Sequence, residues 1–210
     1  MRFVVFAHNG SYGLCAVTYN RHVLRSAIFI IGLCLGAAAQ AAQPIIDNDR
    51  VTVFDETSPM QPRTRDYVVV YLNGPRKGEA TLGKAGTAPN MDGAHCIIIE
   101  LNNHPVDRLP NKTGYPNAFP RPHVKKLYET DKVLVWSYRW NPGEPTPMHF
   151  HDKDVVVVYE EPTALKSTTP DGKVTINEYK EGDTRFNLRD RTHTETLIRG
   201  TGSAVMTELK

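Results

Sequence analysis

Cysteine is almost missing from this chain. Of the three present, Cys15 and Cys34 fall in the first 42 residues, which leaves Cys96 alone in everything that follows. A single thiol cannot close an intramolecular disulfide, so the fold has to rest on burial instead of cross-links. Cys96 opens the apolar run Cys96-Ile97-Ile98-Ile99 and reads as a small buried hydrophobe rather than a reactive group. Charge of one sign is missing too. Arg2, Arg21 and Arg25 are the only charged residues before residue 43, so the remainder carries 22 basic and 23 acidic side chains. A near-neutral chain without a basic run has no electrostatic footprint for nucleic acid. There is no G-x-G-x-x-G after a strand, no Walker-A sequence, no G-x-S-x-G and no C-x-x-C. Their absence sets aside dinucleotide binding, P-loop phosphate binding, the serine-hydrolase elbow and dithiol redox chemistry.

Long apolar runs are scarce as well. The run from Ala27 to Ala39 has thirteen residues, short of the roughly 20 that a membrane-spanning helix needs. Arg21, His22 and Arg25 precede it, and small residues spaced A-x-A at Ala39 and Ala41 follow it. That order is a secretory signal peptide cut after Ala41 or Ala42, which predicts a periplasmic or secreted protein with no stable membrane anchor after cleavage. The stretch "MRFVVFAHNGSYGLCAVTYN" is too long and too mixed for an n-region, and a start at a codon such as Val17 or Val23 would account for it.

What the rest of the chain does have is short β-runs between Gly, Pro, Asn and Asp, with no segment of helical period, so the expected fold class is all-β. Residues 43–103 offer strands at Val51 to Asp55, Asp66 to Leu72, Glu79 to Gly83 and His95 to Asn102. Residues 124–210 offer eight more, from Lys132 to Leu209. Between them, residues 104–123 hold five prolines and read as a linker or a wrapping arm, because proline removes the donors a central strand needs. A faint echo joins the halves. "NDRVTVF" resembles "TDKVLVW", "RDYVVVYL" resembles "KDVVVVYE", and "AHCIIIEL" resembles "GSAVMTEL", in the same order. A duplicated β-unit whose first copy lost its middle would give this pattern, and so would the shared composition of strands in general.

One constellation carries chemistry. Alternation along a strand puts His149 and His151 on the same side, close enough to share an ion. Gly143 stands six positions before His149, and "GDTRFNLRDRTH" runs from Gly182 to His193. These spacings resemble the cupin superfamily, whose signatures are G-x5-H-x-H-x3-4-E-x6-G and G-x5-P-x-G-x2-H-x3-N. The resemblance covers roughly residues 124–210 and implies a jelly-roll β-barrel, a metal held by His149, His151 and His193, and pairing of barrels into a homodimer. It also makes residues 43–103 a candidate degenerate second cupin half. The departures are specific: Val155 or Val156 stands where the family has its Glu, Leu188 and Asp190 replace its Pro and Gly, and Leu197 replaces its Asn.

Three neutral imidazoles suit Fe, Mn, Zn, Ni or Cu, so one divalent transition metal is expected and its identity stays open. Without the carboxylate the ion keeps its full charge and more open positions, which favours water, dioxygen or an anionic substrate. Glu195 shares the face of His193 and has three readings: a fourth ligand, a catalytic acid or base, or a partner that fixes an imidazole tautomer. In "VLVWSYRWNPG" Trp136, Tyr138 and Trp140 alternate onto one face and Val135, Ser137 and Arg139 onto the other; the aromatics are candidates to line a small-molecule substrate pocket, with Arg139 placed to meet a carboxylate. Core packing explains the same aromatics without a ligand. The sequence therefore points to an exported metal cupin, either an enzyme of dioxygenase or related type, a binding module for a small ligand or metal, or a structural barrel.

Overall fold

The structure is a computed structural model and describes residues 2–8, 11–17 and 43–210. Residues 1–40 and 41–210 are separate compact units. In the first, β1 (Arg2–His8) and β2 (Ser11–Val17) form an antiparallel hairpin. The apolar run and cleavage site of the expected signal peptide lie outside the described residues. Among the described residues no helix is long and apolar enough to cross a membrane.

The body is built of three stacked sheets. β3 (Ile46–Asp47), β4 (Val51–Glu56), β5 (Tyr67–Tyr71), β6 (Ala80–Gly83) and β7 (Cys96–Leu101) form an outer sheet in the order β3-β4-β7-β5-β6. Then come β8 (Val124–Glu129), β9 (Val133–Arg139), β10 (His149–His151), β11 (Val155–Tyr159) and β12 (Thr163–Thr168). β13 (Val174–Tyr179), β14 (Thr184–Asn187), β15 (Arg191–Gly200) and β16 (Ser203–Leu209) complete the chain. They alternate between a five-stranded sheet, β14-β11-β16-β9-β8, and a four-stranded one, β10-β15-β12-β13. The pairs β9·β16, β10·β15, β11·β14 and β12·β13 nest from the outside inward, which is the jelly-roll pattern. The all-β jelly roll expected from the sequence is the fold observed.

The strands of the central sheet read as continuous apolar runs because both of their faces are covered. Val133, Val135, Val156, Val158 and Val205 point outward and join Val51, Val53, Val68, Val70 and Ile99 in one core between the outer and central sheets. Their alternating neighbours Trp136, Tyr138, Val155, Val157 and Met206 point inward and fill the jelly roll. The far face of the outer sheet, with Tyr67, Tyr71, Cys96 and Ile98, is covered by Met91 and Ala94 of the loop before β7.

The outer and central sheets are copies of one another, residue for residue. Val51 pairs with Leu101 and Val133 with Leu209; Val68 pairs with Ile99 and Val156 with Thr207; Ala80 faces Val70 as Thr184 faces Val158. The turns agree as well. Gly78 and Gly182 both take positive φ, 81° and 83°, and donate to the carbonyls of Tyr71 and Tyr159, a conformation that suits glycine. Asn48 Oδ1 and Thr130 Oγ1 each accept the two backbone N–H groups that open β4 and β9. The contacts between copies are reciprocal: Arg50 lies 3.5 Å from Asp154, its counterpart Lys132 lies 3.0 Å from Asp66, and Lys77 meets its own counterpart Glu181 at 3.3 Å. That is the signature of a two-fold relation within one chain. The echo in the sequence is therefore a repeat in the structure, and the four-stranded sheet is the part the first copy lacks.

Residues 104–123 run along the jelly roll. The N–H of Phe150 donates to Pro116 O, and the N–H of Ala118 donates to Phe150 O, both at 2.8 Å, so the segment extends the free edge of β10. Ala118 and Phe119 then bury themselves in the interior core.

Candidate metal centre

The short strand β10 pairs with β15 so that His149 faces His193 directly, and alternation brings His151 to the same side. One ligand nitrogen from each of the three lies within 4.8 Å of the others, and all three residues are buried or nearly so. Nε2 of His151 and Nε2 of His193 are 3.1 Å apart. Two imidazole nitrogens at that separation can share a cation roughly 2.1 Å from each.

Ring orientation is fixed from behind. Nδ1–H of His149 donates to the carbonyl of Pro147 at 2.7 Å, which leaves a lone pair on Nε2. Nδ1 of His193 is 3.2 Å from Ser167 Oγ, so its Nε2 also faces inward. Nδ1 of His151 is buried without a partner. Burial, reinforced by the positive charge of Arg121 and by His193, pushes His149 down to about 3. Burial also lowers His151 and His193, with Glu195 partly opposing the shift at His193. At neutral pH all three rings are uncharged, a donor set whose chemistry fits a borderline transition ion.

Two charged residues complete the surroundings. Arg121, delivered by the proline-rich segment, donates from Nη1 to His149 Nε2 at 2.7 Å and stacks over Tyr138 at 4.2 Å. Its side chain is only 4% exposed. Glu195 accepts from Trp140 Nε1 at 3.1 Å, lies 3.7 Å from Arg121, and places Oε1 4.0 Å from His193 Nε2. Burial pushes its carboxyl up, but a protonated His193 and the guanidinium of Arg121 outweigh that and hold it below the ordinary range.

No family model and no curated protein matches the chain. Solved structures do. An oxalate decarboxylase from Bacillus subtilis superimposes with a TM-score of 0.50 at 9% identity, over 78% of this chain and 69% of that one. A cupin domain from Bordetella pertussis is 24% identical, with a TM-score of 0.38 over 44% of this chain and 99% of that one. A cupin 2 conserved barrel domain protein from Leptotrichia buccalis is 14% identical, with a TM-score of 0.45 over 80% of this chain and 88% of that one. The fold is a cupin-type β-barrel.

Within this cupin barrel the histidines expected from the sequence come together, and the other expected residues separate. Trp136, Tyr138 and Trp140 face the interior but are packed as core, where Trp136 donates to Glu208 Oε2 at 2.9 Å and Trp140 props Glu195. Arg139 lies on the opposite side of β9, as alternation requires, where it is exposed and is not among the residues that line the cavity. The arginine beside the histidines is Arg121, and its position inside a proline-rich stretch gave no signal of a site. A cavity of about 540 Å³ opens from His151, His193 and Glu195 towards solvent, and Arg185 and Arg191 also line it. Arg191 was within reach of sequence reasoning, since Arg191, His193 and Glu195 alternate onto one face.

Proposed function

We propose that this chain is a metal-dependent cupin that holds one divalent transition ion through His149, His151 and His193 and acts on a small organic molecule in the cavity above them. The observation that carries the reading is the convergence of three uncharged imidazole nitrogens in a buried pocket, with their outer nitrogens turned away. The ion would supply Lewis acidity towards an oxygen atom of the substrate. Glu195, steadied by Trp140 through Oε2, keeps Oε1 towards the site, placed to take a proton from a bound substrate or return it. Manganese belongs among the ions to test, because Mn(II) centres are described for the Bacillus subtilis oxalate decarboxylase. The leader sequence supports export to the periplasm or outside the cell.

A second reading has its own support. Arg121 already puts a positive charge on the His149 lone pair, as a barrel that binds a ligand without turning it over could do. Elemental analysis tests the metal, and turnover separates the two readings. About one equivalent of a transition metal is expected in the purified protein and none in the His149→Ala, His151→Ala double variant. The Glu195→Gln variant should keep its metal while substrate-dependent oxygen uptake or product formation falls by roughly 10²-fold or more. A wild-type protein that carries no metal and takes up none of Fe, Mn, Zn, Ni or Cu would sink the proposal.

A further inference from the structure

The cavity is more positive than a three-histidine site requires. Arg185 on β14 and Arg191 on β15 both line it. Neither makes an ion pair among the described residues. Arg191 spends its Nε–H on the carbonyl of Leu188 at 2.7 Å, and the guanidinium of Arg185 lies 5.8 Å over the ring of Tyr179. The two carboxylates in the lining are already engaged: Glu178 pairs with Arg199 at 2.6 Å, and Glu195 stands 3.7 Å from Arg121. Val155 occupies the place of the Glu in the family signature and also lines the cavity, so the charge that would offset these arginines is replaced by an apolar wall. Arg191 is itself drawn from water, and burial lowers it from the usual guanidinium range. Glu195 is the charge that most favours the Arg191 guanidinium, but it is shared with Arg121, and a guanidinium without an ion pair of its own in a partly buried cavity is a standing cost unless an anion joins it.

The remaining walls define the other end of the ligand. Val155, Val157, Leu165 and Met206 form one apolar side, with Tyr159 and Tyr179 stacked 3.7 Å apart beside it, while Ser167, Asn177 and Asn187 add polar groups to the lining. A volume of about 540 Å³ lies inside the range of small-molecule pockets, roughly 300 to 1,000 Å³. Arg191 is the cross-strand partner of His151, so an anion held there stands next to the histidines. We infer that the cavity takes an organic carboxylate with an apolar body, its carboxylate gripped by Arg191 and Arg185 and its body laid on the valine, leucine and methionine wall. Guanidinium groups suit this because they present paired N–H donors to a planar carboxylate. The inference rests on the metal-cupin reading for the chemistry but on the arginines alone for the binding.

Calorimetry on the purified protein tests it with benzoate and hexanoate as probes and benzamide as the uncharged match. Both carboxylates should bind, and benzamide at least ten-fold more weakly. The Arg185→Gln, Arg191→Gln double variant should lose ten-fold or more in carboxylate affinity while its metal content stays that of the wild type. Arg185→Gln alone, a change at an exposed rim position, should show part of the loss and guards against a folding defect. No binding of either carboxylate, or binding unchanged in both variants, overturns the inference. Metal analysis of the same samples keeps the two ideas apart. Arginine-dependent binding in a chain that holds no metal would support the anion site and refute the metal site. A metal-loaded chain that binds no carboxylate would do the reverse.

Discussion

Asp190 has a left-handed backbone, φ 65°, at the position where the second cupin signature carries glycine. The substitution has kept the conformation and lost the residue best suited to it. Its N–H donates to the carbonyl of His151 at 2.9 Å, so the turn is tied directly to the strand that bears two of the three clustered histidines. A left-handed residue costs roughly 1–2 kcal/mol for most side chains, and Asp is among those that tolerate it best. Asp190→Val is therefore expected to lower the urea unfolding free energy by about 1–2 kcal/mol, whereas Asp190→Gly should equal or exceed the wild type. A valine variant that unfolds with the wild-type midpoint would refute this account of the turn. Cys96 supplies a pH dependence. It is fully buried, and burial pushes its thiol from 9 up to about 11. Between those values the folded state keeps a proton that the unfolded state gives up. The contribution is thus intact below pH 9 and lost as pH rises towards 11. Folded protein should resist thiol alkylation at pH 8, and the fall in stability between pH 9 and 11 should be shallower in Cys96→Val than in the wild type.

At the scale of elements, the strands were legible wherever their own residues dictated them. Runs such as Tyr67–Tyr71 and Val155–Tyr159 are β-branched or aromatic throughout, and they lie within a residue or two of where the sequence puts them. β8 was not legible, because Val124–Glu129 contains two lysines and a glutamate and owes its strand to the hydrogen bonds of β9 rather than to its own composition. The same reason hid the role of residues 116–118, whose pairing is visible only from the edge of β10. For the site, the histidines could be found because two of them sit at i and i+2 on one strand and the third at a fixed distance from a turn. Arg121 and Arg185 could not, since each is brought there by strand pairing between residues far apart in the chain, residues 116–118 beside β10 and β14 beside β11. Arg139 lies beside the aromatic stripe in sequence, and the alternation that makes the stripe keeps it on the other face of β9.

At the scale of the whole molecule, the missing middle of the first repeat explains where the histidine cluster lies. All three histidines lie on β10 and β15, in the one sheet that only the second repeat possesses. The first repeat keeps the sheet that packs and has lost the sheet that would bind. Its use is then structural, because it covers the outward face of the central sheet with Val53, Val68, Val70, Ile97 and Ile99. A two-fold relation of this kind normally joins two copies of a chain; here both sides belong to one, and the face that would pair with a second barrel is filled from within. The intact protein should therefore not dimerise through that face. Removing residues 43–103 would bare Val133, Val135, Val156, Val158, Val205 and Leu209 together, a contiguous apolar surface that a soluble monomer does not keep exposed. Sedimentation velocity should show residues 104–210 self-associating or aggregating at concentrations where the full body sediments without that association. If the truncated barrel instead stays a soluble, folded monomer, the outer sheet is an appendage and not the internal partner that the reciprocal contacts of Arg50 with Asp154 and Lys132 with Asp66 make it.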